Sequence, residues 1–80
     1  MNMQDIKITY RFTLCGINIG NNNNLYGCST YVNDIQPITP IEFLELLMNY
    51  VSKGNIVTDI TYKIAGSEIE YKTTINRCLP

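Results

Sequence analysis

The stretch ITPIEFLELLMNYVSKG, residues 38–54, contains the strongest local structural signal in the chain. Thr39 is a typical N-cap, Pro40 is favoured at the first helical position, and Glu42 completes a capping box. Apolar residues then recur at helical spacing along one stripe, and Gly54 is a typical residue for ending a helix. The sequence therefore predicts one amphipathic helix over Thr39–Lys53.

Two strands are predicted before this helix. Over residues 6–15 apolar and polar side chains alternate strictly, which is the period-two pattern of a half-buried strand. The phase shifts after Gly16, where we favour a bulge over a tight turn. The second strand is expected over Leu25–Val32, and Pro37 makes residues 35–39 an extended connection to the helix.

Two further strands are predicted after the helix, at Ile56–Ile64 and at residues 68–76, with a hairpin turn at residues 65–67. Two hairpins around one helix give an α+β fold: a four-stranded sheet in ββαββ order with the helix packed on one face. The pattern fits a simple meander and also a β-grasp-like arrangement. Residues 1–80 are expected to form a single domain.

The element order and the tyrosine-rich strands resemble the immunoglobulin-binding β-grasp domains. The chain contains six tyrosines in 80 residues. The resemblance implies that the first and last strands are parallel neighbours in the sheet. It implies a fold and no function.

The residue inventory excludes several chemistries. The chain has no histidine, so Ser-His and Cys-His nucleophilic schemes are excluded and the commonest neutral metal ligand is missing. No glycine-rich phosphate loop leads into a helix. The carboxylate pairs Glu42 with Glu45 and Glu68 with Glu70 fall on predicted solvent faces, which do not create opposed acid–base environments. We therefore predict a protein that is not an enzyme and has no cofactor and no metal site.

Three cysteines, Cys15, Cys28 and Cys78, lack CxxC spacing, and their odd number suits a reducing cytoplasm better than a disulfide framework. A Cys15–Cys28 bridge stays open as the alternative. From the strand registers we expect Cys28 to be buried and Cys15 to be exposed. Residues 1–5 show no secretory signal pattern, and no segment approaches the about 20 apolar residues of a membrane span. A cytoplasmic protein with no membrane contact is expected.

The candidate binding residues lie around the predicted first hairpin and on the predicted outer face of the sheet. Tyrosine offers a large contact area at low entropic cost, and Tyr26 and Tyr31 adjoin an asparagine run whose amides donate and accept hydrogen bonds. Core packing of the tyrosines and a weakly selected hairpin tip are the alternatives. Arg11 and Lys63 belong to an outer face of mixed charge. The predicted partner-binding residues are Asn21, Asn22, Asn23, Asn24, Tyr26, Tyr31, Arg11 and Lys63.

Six Lys+Arg against seven Asp+Glu argue against direct nucleic-acid binding, which needs a clustered basic surface. We predict a non-enzymatic binding protein with a protein partner. The abundant Ile, Asn and Tyr have AT-rich codons and favour a phage or mobile-element inhibitor of a host macromolecule, of the anti-defence or anti-CRISPR kind. The alternative is a homo-oligomer that sequesters a small ligand such as a nucleotide. A homodimer is also expected, because Leu46 and Met48 widen the apolar face of the helix.

Overall fold

The computed structural model describes residues 6–17 and 25–75 and confirms the predicted α+β class. Four strands form one antiparallel sheet in the order β2-β1-β3-β4, and one helix packs against it. The elements in chain order are β1 (Ile8–Ile17), β2 (Leu25–Ile38), α1 (Pro40–Ser52), β3 (Ile56–Ile64) and β4 (Glu70–Thr73).

The strand order differs from both the meander and the β-grasp-like arrangement. β1 lies inside the sheet and runs antiparallel to β2 on one side and to β3 on the other. β2 and β3 are therefore parallel to each other, and α1 crosses over β1 to join them in a split βαβ unit. A β-grasp would place β1 beside β4, whereas β4 pairs with β3 at the far edge. The crossover carries α1 across the sheet to β3, the strand that it approaches most closely.

The helix forms where the sequence predicts it, because both of its ends are satisfied locally. The hydroxyl of Thr39 accepts the backbone N–H of Glu42 at 3.2 Å, and the Glu42 carboxylate accepts the Thr39 backbone N–H at 3.1 Å. At the other end Gly54 has φ +90°. The Asn55 backbone N–H reaches back to the Tyr50 carbonyl at 3.2 Å, which is the outer bond of a Schellman motif.

The capping box also sets the acidity of its carboxylate. The hydrogen bonds from the Thr39 backbone N–H and then from its hydroxyl lower the pKa of Glu42 from its ordinary value of 4.5. A carboxylate whose pKa is lower in the folded state stabilises the fold above pH 4.5 and loses that contribution as pH falls through the lowered pKa. Glu42 therefore has a structural role in starting the helix.

The core lies between α1 and the sheet. Its buried side chains come from β1, α1 and β3, so one cluster joins both layers. Burying side chains of this size stabilises a fold by about 1.5–3 kcal/mol each relative to exposure. The members of the cluster are Ile8, Phe12, Phe43, Leu47, Val57 and Ile60.

A bulge in β3 keeps the apolar residues of that strand on the core side. Asp59 and Ile60 together lie opposite Phe12 of β1, and Asp59 has a left-handed backbone with φ +52°. The extra residue shifts the alternation, so Val57 and Ile60 share the core face. A strict period-two alternation from Ile56 would put Val57 on the solvent side with Asp59, but Val57 is buried.

A second bulge lies in β2, where Gly27 and Cys28 lie opposite Cys15. Gly27 has φ +60°, a conformation that glycine adopts without the strain caused by a Cβ atom. The sequence predicted an irregularity at Gly16 and favoured a bulge over a turn there. β1 continues through Gly16 to Ile17 without a turn, and the extra residue belongs to β2.

β2 also continues beyond its predicted end at Val32. Residues 34–37 form an excursion between the paired positions Asn33 and Ile38. The Asn33 side chain holds this excursion: its amide accepts the Gln36 N–H at 3.1 Å and donates to the Gln36 carbonyl at 3.0 Å. Ile35 at its tip is 90% exposed. The outer edge of β2 is therefore irregular.

We expect Thr39→Ala to lower the free energy of unfolding by about 1 kcal/mol, because the first turn loses its N-cap acceptor. Urea denaturation followed by circular dichroism measures the change. Thr39→Ser is the matched control, since serine supplies the same hydroxyl, and it should keep most of the stability. Equal midpoints for Thr39→Ala and the wild type would mean that this cap does not stabilise the helix.

We expect Asp59→Ala to destabilise the fold by about 1 kcal/mol more than Asp59→Gly. Alanine is strained at φ +52°, whereas glycine adopts positive φ freely. Thermal melts of the two variants under one buffer condition test the difference. If alanine proved as stable as glycine, the left-handed bulge at this position would be ruled out.

Candidate functional site

The sheet face opposite α1 carries no helix or strand in the part of the chain that the structure describes. We call this surface the open face. It is polar and threonine-rich, and its members follow from the strand registers. They are Thr9, Arg11 and Thr13 of β1, Thr30 and Val32 of β2, Thr58, Thr61 and Lys63 of β3, and Glu70 and Lys72 of β4.

Arg11 stands at the centre of the open face, between Val32 of β2 and Thr61 of β3. Two adjoining concavities of about 200 Å³ and 510 Å³ both include Arg11 and Thr61 in their walls. The first extends toward Lys63, and the second extends toward Lys72. Arg11 is exposed, whereas Thr61 is only 7% exposed beneath its neighbours. The guanidinium group is therefore available from both concavities.

Hydroxyl groups and opposite charges surround Arg11. The hydroxyls of Thr13 and Thr30 lie 3.3 Å apart and share a hydrogen bond across β1 and β2. Glu70 and Asp34 line the same concavity as Arg11, and the β2 excursion carries Asp34 to this place. The surface therefore offers cations, carboxylates and hydroxyl donors and acceptors within one area.

The predicted site residues do not form one surface. Arg11 and Lys63 line the same concavity of the open face, on the outer face where the alternation pattern placed them. Tyr31 lies on the other face, where its ring stacks on Phe12 at 5.5 Å and on Tyr50 at 6.4 Å between centroids. Its side chain is 44% exposed, so the ring packs on the core with one side toward solvent.

The remaining members of the predicted site are not tested. Asn21, Asn22, Asn23 and Asn24 lie outside the described residues. Tyr26 lies in β2 opposite Gly16, and its side chain is also outside the described part. Their contribution to binding stays a prediction.

The cysteines differ from expectation. Cys15 and Cys28 are joined by a disulfide across the β2 bulge, with 4.1 Å between their Cα atoms. Cys15 is 2% exposed and Cys28 is exposed, so both predicted burial states were wrong. Closing a loop of this length stabilises a fold by about 3 kcal/mol in the chain-entropy model. Disulfides persist mainly in oxidising compartments, and this pair therefore counts against the expected cytoplasmic location.

Three further observations bear on the predicted chemistry. Across residues 6–17 and 25–75, no group of three or more His, Cys, Asp or Glu side chains is arranged to hold a metal ion. In the same residues no buried side-chain nitrogen or oxygen lacks a hydrogen-bond partner. The helix in these residues, α1, is not long and apolar enough to cross a membrane.

Comparison with known proteins adds no functional information. No family model, no curated protein and no solved structure matches the chain. The functional argument therefore rests on the surfaces of the molecule.

Apart from Lys63, sequence reasoning selected none of the other charged or hydroxyl-bearing residues near Arg11 as site residues, among them Asp34, Thr61, Glu70 and Lys72. The alternation of Thr9, Arg11 and Thr13 along β1 was the available signal for a polar face. The register that places Thr61 beside Arg11 joins residues far apart in the chain. Local patterns do not contain that information.

We expect Tyr31→Ala to lower the free energy of unfolding by about 1–2 kcal/mol, because aromatic pairs contribute about 0.5–1.5 kcal/mol beyond their buried area. Arg11→Ala should change it by no more than about 0.5 kcal/mol, as is usual for exposed positions. Chemical denaturation measures both, with Tyr31→Phe as the control that keeps the ring. A larger loss of unfolding free energy in Arg11→Ala than in Tyr31→Ala would mean that Arg11 is structural and that Tyr31 is free for binding.

Proposed function

We propose that this chain is a non-enzymatic binding protein that recognises a protein partner through the open face, with Arg11 at the centre of the contact. The observation that carries this proposal is the exposed Arg11 set between two concavities on a sheet face that no described element covers. Arginine is enriched among the residues that dominate binding energy. Mixed charges around it fix the orientation of a partner through charge complementarity.

The composition of the open face favours a protein over a nucleic acid as partner. Asp34 and Glu70 share one concavity with Arg11 and Lys63, and their carboxylates repel phosphate groups. Sheets that bind single strands stack bases on exposed aromatic rings. On the described strands Tyr10, Tyr62 and Tyr71 are register partners on the α1 side of the sheet.

A small-molecule ligand is the weaker candidate. The concavity that joins Arg11 to Lys63 could hold the anionic group of such a ligand. Its volume of about 200 Å³ is below the about 300–1,000 Å³ of typical ligand pockets, and the adjoining concavity of about 510 Å³ is within that range but equally open, whereas ligand pockets enclose most of the ligand. An open surface of this size suits contact with a protein.

Within this class we favour an inhibitor that occludes a surface of a host macromolecule and is encoded by a phage or mobile element. A broad polar sheet face on a chain of 80 residues acts by covering its partner, and the abundance of Ile, Asn and Tyr, which have AT-rich codons, suits such an origin. We propose a cytoplasmic site of action only if Cys15 and Cys28 are free thiols in the cell instead of a disulfide. Thiol trapping before lysis distinguishes the two redox states.

The test is affinity capture with the wild type and with matched charge reversals, followed by measured affinity for the captured protein. Arg11→Glu and Lys63→Glu should each weaken binding by about 2 kcal/mol or more, the level of a hot-spot residue. Lys53→Glu is the control, because Lys53 is exposed at the end of α1 in the other layer. Arg11→Glu should melt close to the wild type, whereas Lys63→Glu sets two carboxylates opposite each other at positions 63 and 70 and is replaced by Lys63→Gln if it melts lower.

Two outcomes would contradict the proposal. Equal loss of binding in Lys53→Glu would point to a long-range charge effect instead of a site. If Arg11→Glu and Lys63→Glu both bound the partner as tightly as the wild type, the contact would lie outside the open face. Native mass spectrometry of the purified chain showing a retained small molecule, lost in Arg11→Glu, would favour the ligand-binding alternative.

A further inference from the structure

The two edges of the sheet differ in their capacity to pair with another strand. Along β2 the excursion at residues 34–37 interrupts the edge, and Pro37 lacks a backbone N–H. Both features are known to protect edge strands from pairing. β4 spans Glu70–Thr73, is exposed throughout, and has no strand on its outer side within the described chain. β4 is therefore the edge strand whose pairing with its neighbour is not interrupted by a bulge, an excursion or a proline.

The β4 sequence Glu70-Tyr71-Lys72 is complementary to itself in one antiparallel register. When two copies pair about a two-fold axis at Tyr71, Glu70 of each copy lies opposite Lys72 of the other. Opposite charges directly across a strand pair stabilise it, whereas like charges destabilise it. A shift by two residues places like charges opposite each other, and a shift by one puts the two helices on opposite faces. Of these registers, only the one centred on Tyr71 pairs opposite charges and also keeps both helices on the same face of the joined sheet.

The helix side of this edge carries exposed apolar side chains. Tyr71 stacks on Tyr62 with 5.3 Å between ring centroids, and Ile69 beside it is also exposed. A groove of about 350 Å³ lies between α1 and this edge, and Leu44 and Ile64 are exposed in its lining. A contiguous apolar patch of this kind marks an interaction surface.

We propose that a second copy of this chain pairs with β4 in the register centred on Tyr71, which joins the two four-stranded sheets into one. Both Tyr71 rings then lie opposite each other on the helix side, and Ile69 of each copy lies opposite Thr73 of the other. The same surface patch serves both copies, as a two-fold interface requires. The two open faces become continuous across the paired Glu70 and Lys72 residues.

The test uses Glu70→Lys and Lys72→Glu in sedimentation velocity experiments at high micromolar concentration. The wild type should sediment as a dimer, and each variant alone should be monomeric, with a dimer dissociation constant raised at least tenfold. An equimolar mixture of the two variants should form heterodimers. The E70K chain carries two positive charges along this edge and the K72E chain carries two negative charges, so the mixture restores complementarity.

Glu70 is also the register partner of Lys63 within the chain, so Glu70→Lys could disturb its own hairpin. The double variant Lys63→Glu with Glu70→Lys restores that pair and replaces the single variant if melting shows a loss of folding. A monomeric wild type would overturn the proposal. Dimers that persist in both single variants, or a mixture that stays monomeric, would also overturn it.

Discussion

The ring of Phe12 makes the contacts on which both layers of this fold depend. It is 1% exposed and lies in the inner strand β1, within the core cluster that joins the sheet to α1. Aromatic rings from β1, β2 and α1 lie within 6.4 Å of it between centroids, so it ties the edge strand and the helix to the centre of the sheet. The bulge at Asp59 and Ile60 is directly opposite and brings Ile60 into the same core. The four rings are Tyr10, Tyr31, Phe43 and Tyr50.

The parts of the fold that could be predicted are those determined by neighbouring residues. The helix start depends on Thr39 and Glu42, which are three residues apart, and the alternation along β1 depends on the residues of that strand alone. The strand order depends on which distant segments meet, and a period-two pattern does not identify a partner strand. A period-two pattern misplaces Val57 because the left-handed residue that shifts the phase is Asp59, and no glycine marks the position.

In the candidate site too, features set by neighbouring residues could be predicted and features set by distant segments could not. Alternation along β1 correctly put Arg11 on the outer face, but its central position arises only because β1 is an inner strand. Tyr31 was chosen for the binding preference of tyrosine, and packing against Phe12 and Tyr50 decides its place instead. Cys15 and Cys28 meet because the β2 bulge sets them opposite each other. The sequence indicates no bulge at that point beyond the presence of Gly27.

The size of the chain explains why the two surfaces proposed for interaction, the open face and the β4 edge, differ in chemistry. One helix of 13 residues covers β1 and β3 through the core cluster. It leaves the edge at β4 only partly covered. A small domain buries a limited share of its surface, so a face without a covering layer must be polar, as the threonine-rich open face is. The exposed apolar side chains at the β4 edge, chiefly Tyr71 and Ile69, differ in this respect, because they would stabilise the protein further if another surface covered them. Glu70 and Lys72 set a further condition on that cover, because a strand that places a carboxylate opposite Glu70 or a cation opposite Lys72 is destabilised by like charges.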